Sequence, residues 1–315
     1  MRRPRPEPLL LTGEPFTLAT ASDAGVSRGR LRSSLWRPVC RGILVATDTP
    51  DSVELWLAAA QLVVPAGAVI SGRAAAWLHG IDIRRYAGEP LDITIDRDWA
   101  PSGRGLLVPH RAPLPDEDLV EIGGLLVTNP LRTAYDLVRG FDLREGSKPY
   151  DVVEAVVAAD AFLHAGLITP DLLTEFQKDR RWPNGLRLAR VLELADAGAE
   201  SPMESRLRMV LVIDAGLPRP ETQYAVPYGE DGKELRVDIA YPGPHLGVEY
   251  SGAWHAEGER PRLDQHRHNR LAGERWHVLE YWLEDYRDQR ATIVRDVTDY
   301  LRSAGQAITA RDWRL

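Results

Sequence analysis

One cysteine, Cys40, in 315 residues leaves no intramolecular disulfide and no Cys-rich zinc site. A cytoplasmic setting is the default expectation. No apolar run reaches the roughly 18 residues that span a membrane, so no membrane partner is expected. The opening Met-Arg-Arg-Pro-Arg-Pro-Glu-Pro has no apolar stretch behind it and is not expected to act as a secretory signal. Net basic charge is lacking too: the formal charge is −7, which argues against a uniformly basic nucleic-acid coat. What is present, 44% hydrophobic and 27% charged residues, suits a protein that buries real cores. The length suggests roughly two domains of about 150 residues each, or three smaller ones.

The charge is uneven along the chain. Between Asp23 and Asp48 there is no acidic residue, while Arg28, Arg30, Arg32, Arg37 and Arg41 all fall there. A second basic cluster runs from Arg260 to Arg275, with His255, His266 and His268 nearby. Such clusters are either solvated faces or an electrostatic footprint for nucleic acid. Within the first, a short helix ends near Gly25, and Ser27 caps a second helix carrying Leu31 and Leu35. Helix, turn and capped helix predict a helix-turn-helix, with Arg28, Arg30 and Arg32 as phosphate or base contacts. Residues 36–46 then read as a β-hairpin wing whose tip holds Arg37 and Arg41.

The other informative stretch is 234–255. It reads as two strands, 235–241 and 246–250, joined by Pro242-Gly243-Pro244, which cannot be helical. If the strands pair antiparallel, Asp238 and Glu249 come together among apolar neighbours. Their repulsion is relieved most simply by a divalent cation. Ser201, Pro202 and Glu204 form a capping box at the start of a helix, which by itself gives Glu204 a structural role. A strand near 223–226, a basic helix near 263–271, a strand at 276–281 and a helix at 292–301 complete the region. Between the two ends, Asp92 and Asp96 share a strand face without an obvious third ligand. Arg132 and Asp136 support a helix at i, i+4 spacing. Residues 151–199 read as helical and structural, with Asp160 and His164 a surface pair.

Two family resemblances sharpen this reading. Arg41-Gly42-Ile43-Leu44, the segment beginning Val69-Ile-Ser-Gly-Arg-Ala-Ala-Ala-Trp-Leu-His, and Val127-Thr-Asn-Pro-Leu-Arg-Thr-Ala-Tyr-Asp-Leu are similar to the first half of abortive-infection type IV antitoxins, the AbiEi-like family. That likeness implies a winged helix that binds promoter DNA and a cognate toxin protein as partner. The later segment resembles very short patch repair endonucleases of the PD-(D/E)XK restriction-endonuclease-like superfamily. It does so through Pro202-Met-Glu204-Ser-Arg-Leu-Arg, Val237-Asp-Ile-Ala-Tyr-Pro, Leu246-Gly-Val-Glu-Tyr-Ser-Gly, His255, Asp264, Arg267 and Trp276-His-Val-Leu. This second likeness implies a mixed four-stranded core sheet flanked by helices.

It also implies a site. Glu204, Asp238 and Glu249 would hold Mg²⁺ or Mn²⁺, His255 would act as base or leaving-group acid, and Arg267 would clamp phosphate oxygens, with Asp264 in support. Singly, each has a mundane alternative: Glu249 paired with an arginine, His255 an idle loop histidine. The superfamily's lysine two positions after the second acid is replaced by Ser251, which supplies no positive charge. Two readings therefore stand. One is a metal-dependent DNA endonuclease targeted by its winged helix; the other is a catalytically inactive DNA-binding regulator of the antitoxin kind. The expected fold class is multi-domain α/β: a winged helix-turn-helix at 13–65, an α+β middle region at 66–140, a helical connector at 141–199, and a nuclease-like domain at 200–303.

Overall fold

The computed structural model describes residues 13–84, 86–95, 105–140, 152–180, 185–229, 232–252 and 260–305, with 260–264 as backbone. The chain is α/β and divides into two compact units, Met1–Asp151 with Ala165–Arg190, and Val152–His164 with Val191–Leu315. Among the described residues no helix is long and apolar enough to cross a membrane.

In the first unit, β1 (Phe16–Thr17) leads into α1 (Leu18–Asp23), capped by the Thr17 hydroxyl accepting from the Thr20 N–H. Gly25 follows at φ +76°, the left-handed stop that the sequence predicts. The second helix expected from Ser27 onward is instead a single 3₁₀ turn, Arg30–Arg32. Ser27 does accept from the Arg30 N–H, at 3.3 Å. After one turn the chain reaches Ser33 in an extended conformation, and serine competes with helix through its own hydroxyl. The hairpin is present: β2 (Trp36–Cys40) pairs antiparallel with β3 (Ile43–Ala46), which also pairs with β1. Its tip holds Arg41 but not Arg37, which lies beside Trp36 in β2.

The unit continues through α2 (Val53–Gln61), β4 (Val69–Ile70), α3 (Gly72–Leu78), β5 (Leu91–Ile95), β6 (Leu107–Arg111), β7 (Leu119–Ile122), β8 (Leu125–Thr128) and α4 (Pro130–Arg139). The five strands order as β6-β5-β4-β8-β7. One apolar core joins Val39, Ile43 and Val45 to Trp56, Ala75, Ile93 and Val127, so segments 13–65 and 66–140 share it. Cys40 is buried there, and burial pushes its thiol up to about 12, leaving it protonated and inert. The Arg132–Asp136 pair (2.6 Å) is fully buried, and Arg132 also donates to Asp118 at 2.7 Å. Asp96 lies outside the described residues.

Among the described residues, segment 141–199 supplies three helices. α5 (Val152–His164) belongs to the second unit, α6 (Pro170–Arg180) to the first, and the division falls within α7 (Gly185–Leu194). Asp160 is not on the surface. It is 1% exposed and accepts from the Asp196 N–H (2.7 Å), the Ser205 hydroxyl (2.6 Å) and Arg208 (2.7 Å). His164 points elsewhere, its Nδ1 3.0 Å from the Ala197 carbonyl.

The second unit then builds α8 (Pro202–Met209), β9 (Glu221–Tyr228), β10 (Lys233–Tyr241), β11 (Leu246–Tyr250), α9 (Arg260–Gly273), β12 (His277–Tyr281), α10 (Leu283–Asp288) and α11 (Arg290–Ser303). Its sheet has the order β12-β11-β10-β9, with β11 and β12 parallel and the other neighbours antiparallel. This is the expected mixed four-stranded sheet. Leu207, Leu211, Ile239, Val248, Ile293 and Val297 pack in one apolar cluster, and Val226, Val237, Leu271 and Trp276 in another. In the middle of the sheet β11 is buried from Leu246 to Glu249, so its one charged side chain is withdrawn from water. Gly247 is required by close approach: a Cβ there would lie 2.7 Å from Val237 Cγ1.

Candidate active site

The β10–β11 register pairs Ile239 with Val248 and Ala240 with Gly247. One step along the ladder, Asp238 therefore lies alongside Glu249. The Tyr250 N–H donates to Asp238 Oδ2 at 3.2 Å. Helix α8 starts where Ser201 accepts the Glu204 N–H (3.2 Å), with Pro202 in its first turn. That cap aims Glu204 back towards the sheet. The expected capping box is half formed, because Glu204 Oε2 accepts from the Glu200 N–H at 2.9 Å rather than from Ser201. The same oxygen takes a second hydrogen bond, from Gln223 Nε2 at 3.0 Å, and Gln223 Nε2 lies 3.5 Å from Asp238 Oδ1. Glu204 from α8 and Asp238 from β10 thus share the Gln223 amide, and Glu249 of β11 stands beside Asp238 in the ladder.

Their proximity shows in the electrostatics. Asp238 is pushed up to about 7 by burial first, then by the negative charges of Glu204 and Glu249; the Tyr250 N–H and Arg267 oppose the shift. In the unfolded chain the group returns to the ordinary 3.8. Between those values the folded protein holds a proton that the unfolded chain has lost, so this group's contribution to stability is largest at low pH and declines as pH rises towards 7. Urea unfolding of wild type and Asp238→Asn from pH 4 to 7 should show the difference falling by at most about 1.4 kcal/mol per pH unit. A pH-independent difference would contradict a buried carboxyl that the fold keeps protonated.

Glu249 is 6% exposed and is paired with an arginine. Arg267, from α9, donates to Oε2 at 2.6 Å and to Oε1 at 2.5 Å, and also to the Arg236 carbonyl. This is the two-pronged fit of guanidinium to carboxylate. An all-oxygen set of Glu204, Asp238 and Glu249 suits a hard cation such as Mg²⁺ or Mn²⁺. In the arrangement found, Gln223 and Arg267 supply the positive ends instead. Among the described residues no group of three His, Cys, Asp or Glu side chains is gathered to hold a metal ion.

Ser251 does not face this cluster's oxygens as the missing lysine would. Its hydroxyl donates to Glu280 and its N–H to the Tyr281 carbonyl at 2.9 Å. Glu280 stands beside Glu249 in the parallel β11–β12 register, and His268 Nε2 lies 3.9 Å from it. His255 lies outside the described residues, as does the side chain of Asp264. Sequence reasoning missed Gln223 and Glu280. Nothing local in the sequence marked either residue.

The other predicted contacts lie in the first unit. Arg28, Arg32 and Arg41 are exposed and Arg30 is half-buried. Arg37 is engaged internally, donating to the Thr49 carbonyl at 2.7 Å and facing Asp51 at 3.8 Å.

No protein-family model matches the chain. Over 205 residues it is 32% identical to two uncharacterized Mycobacterium tuberculosis proteins, Rv2248 and MT2308, a stretch covering 64% of this chain and 70% of each of theirs. The chain belongs to their family. The crystal structure of the RV2827C protein from the same organism matches at 15% identity with a TM-score of 0.30, covering 61% of this chain and 74% of that one.

Proposed function

We propose that the protein is a metal-dependent DNA endonuclease, hydrolysing phosphodiester bonds at the Glu204–Asp238–Glu249 cluster and engaging DNA through its N-terminal basic segment. The reading extends the resemblance to very short patch repair endonucleases. The observation that carries it is the convergence of three carboxylates from separate elements, with Asp238 pushed up to about 7. Stability alone does not account for that arrangement, because the like charges repel. Glu204, Asp238 and Glu249 would hold the ion, which when bound polarises a phosphate oxygen and lowers the pKa of water. With no ion bound, burial and its two acidic neighbours push Asp238 up to about 7, so taking up the ion would displace a proton from it. Arg267 clamps phosphate oxygens only after leaving Glu249, since its amino groups are spent on Glu249 and the Arg236 carbonyl.

That same pairing favours a second reading, a DNA-binding regulator of the antitoxin kind with a toxin protein as partner. A guanidinium on Glu249 and Ser251 in the lysine position both suit a scaffold that no longer cuts. Incubating plasmid and mismatched duplex with Mg²⁺ or Mn²⁺ separates the two. Cleavage supports the enzyme, and no cleavage on either substrate favours the regulator. DNA binding itself is tested by salt titration. Replacing Arg28, Arg30 and Arg32 together by alanine should weaken binding and flatten the dependence of log K on log salt. The slope falls by about 0.9 for each phosphate no longer neutralised, up to about 2.7 for the three arginines. An unchanged slope would remove this segment from the interface.

A further inference from the structure

Gln223 is at φ +48°, one of three non-glycine residues with positive φ among those described. It lies in β9, where Tyr224 pairs with Val237 and Thr222 with Ile239, so it stands opposite Asp238 while the regular pairing skips that step. Glutamine has no special tolerance of this left-handed backbone, whereas glycine adopts it freely. Strain retained at one residue points to what its side chain does there. Here the side chain reaches both Glu204 Oε2 (3.0 Å) and Asp238 Oδ1 (3.5 Å) through a single Nε2. Of the two ends of the amide, only the NH₂ group satisfies two carboxylate acceptors at once, which fixes its orientation.

We propose that Gln223 is a positioning residue of the carboxylate cluster: its amide ties the Glu204 carboxylate on α8 to the Asp238 carboxylate on β10 and sets their spacing for a divalent cation. The cation part rests on the endonuclease reading; the cross-tie does not. The amide offers a partial positive end to each acid, offsetting their repulsion when no ion is bound. It carries no net charge, so an ion entering the cluster is not repelled by it. A lysine in its place would satisfy both acids and exclude the ion.

The test uses the full chain with Gln223→Gly and Gln223→Lys, thermal melts in EDTA, and Mn²⁺ titration by calorimetry. Glycine relieves the backbone, so a residue without a role would leave Tm unchanged or raise it. The cross-tie predicts the opposite: Gln223→Gly lowers Tm in EDTA by about 2–4 °C and weakens Mn²⁺ binding at least tenfold. Gln223→Lys keeps Tm at the wild-type value while abolishing Mn²⁺ binding, a split that a merely structural role does not produce. An unchanged or raised Tm for Gln223→Gly overturns the cross-tie, and wild-type Mn²⁺ affinity in that variant overturns the positioning role. Wild type that binds no Mn²⁺, with Gln223→Gly still lowering Tm, supports the cross-tie and overturns the cation reading alone.

Discussion

On the proposed endonuclease reading, Asp238→Ala is expected to lower metal-dependent DNA cleavage by more than about 100-fold, because even partners that merely orient a metal's ligands cost about 10–100-fold when removed. The size of the effect follows from the position of Asp238. It lies between the other two acids, accepting the Tyr250 N–H on one oxygen and approached by the Gln223 amide on the other. Alanine leaves Glu204 on α8 and Glu249 on β11 with no carboxylate between them. Without the oxygens of Asp238 a hard cation is left short of ligands. Stability is expected to hold or improve near pH 7, because the substitution removes a buried carboxyl crowded by two like charges. The measurement is cleavage of plasmid and mismatched duplex by matched preparations, with unfolding curves to show that the variant is folded. Cleavage that survives the substitution assigns the activity to a contaminant or to another site.

Asp160→Ala is expected to lower the unfolding free energy by about 3–5 kcal/mol, the usual consequence of leaving a buried charge without its partner. Arg208 is fully buried; it donates to Asp160 at 2.7 Å and to the Leu194 carbonyl at 2.7 Å. Asp160 also collects the Ser205 hydroxyl and the Asp196 N–H, so the substitution leaves several polar groups unpaired inside the unit. Urea denaturation reads the loss. Replacing both charges with apolar groups, Asp160→Leu with Arg208→Met, should recover the part due to the unpaired charge, while the Ser205 hydroxyl, the Asp196 N–H and the Leu194 carbonyl stay without their partners. A double variant as unstable as the single one would mean that the unpaired charge is not what sets the cost. Arg208 and Ser205 share α8 with Glu204, so this network also anchors the helix that carries one of the three acids.

The residues legible in the sequence are those whose structure is settled within a few positions. Pro242-Gly243-Pro244 forces the turn, and alternating apolar residues on either side set β10 and β11, so the neighbourhood of Asp238 and Glu249 follows from local chemistry. Ser201 and Pro202 start α8 by satisfying and omitting backbone donors, and Gly25 stops α1 in the same local way. The lone Cys40 settles the absence of disulfides without any structure. Local signals mislead where they are incomplete. Ser27 caps a turn that the next residues do not extend, and Arg37 reads as a tip residue although its strand continues through Pro38.

Tertiary structure decided which partner each charged group finds. Asp160 and Arg208 are 48 residues apart, Glu249 and Arg267 are 18 apart, and Glu204 and Gln223 are 19 apart. No spacing rule reaches across such distances, because the pairing depends on how helices and strands pack and which groups lose water together. By itself the sequence determined the elements and brought the acids onto neighbouring strands. Packing chose Arg267 for Glu249, buried Asp160, and held Gln223 in a strained backbone between two acids, because charges withdrawn from water must be matched by whatever the fold places within hydrogen-bond reach.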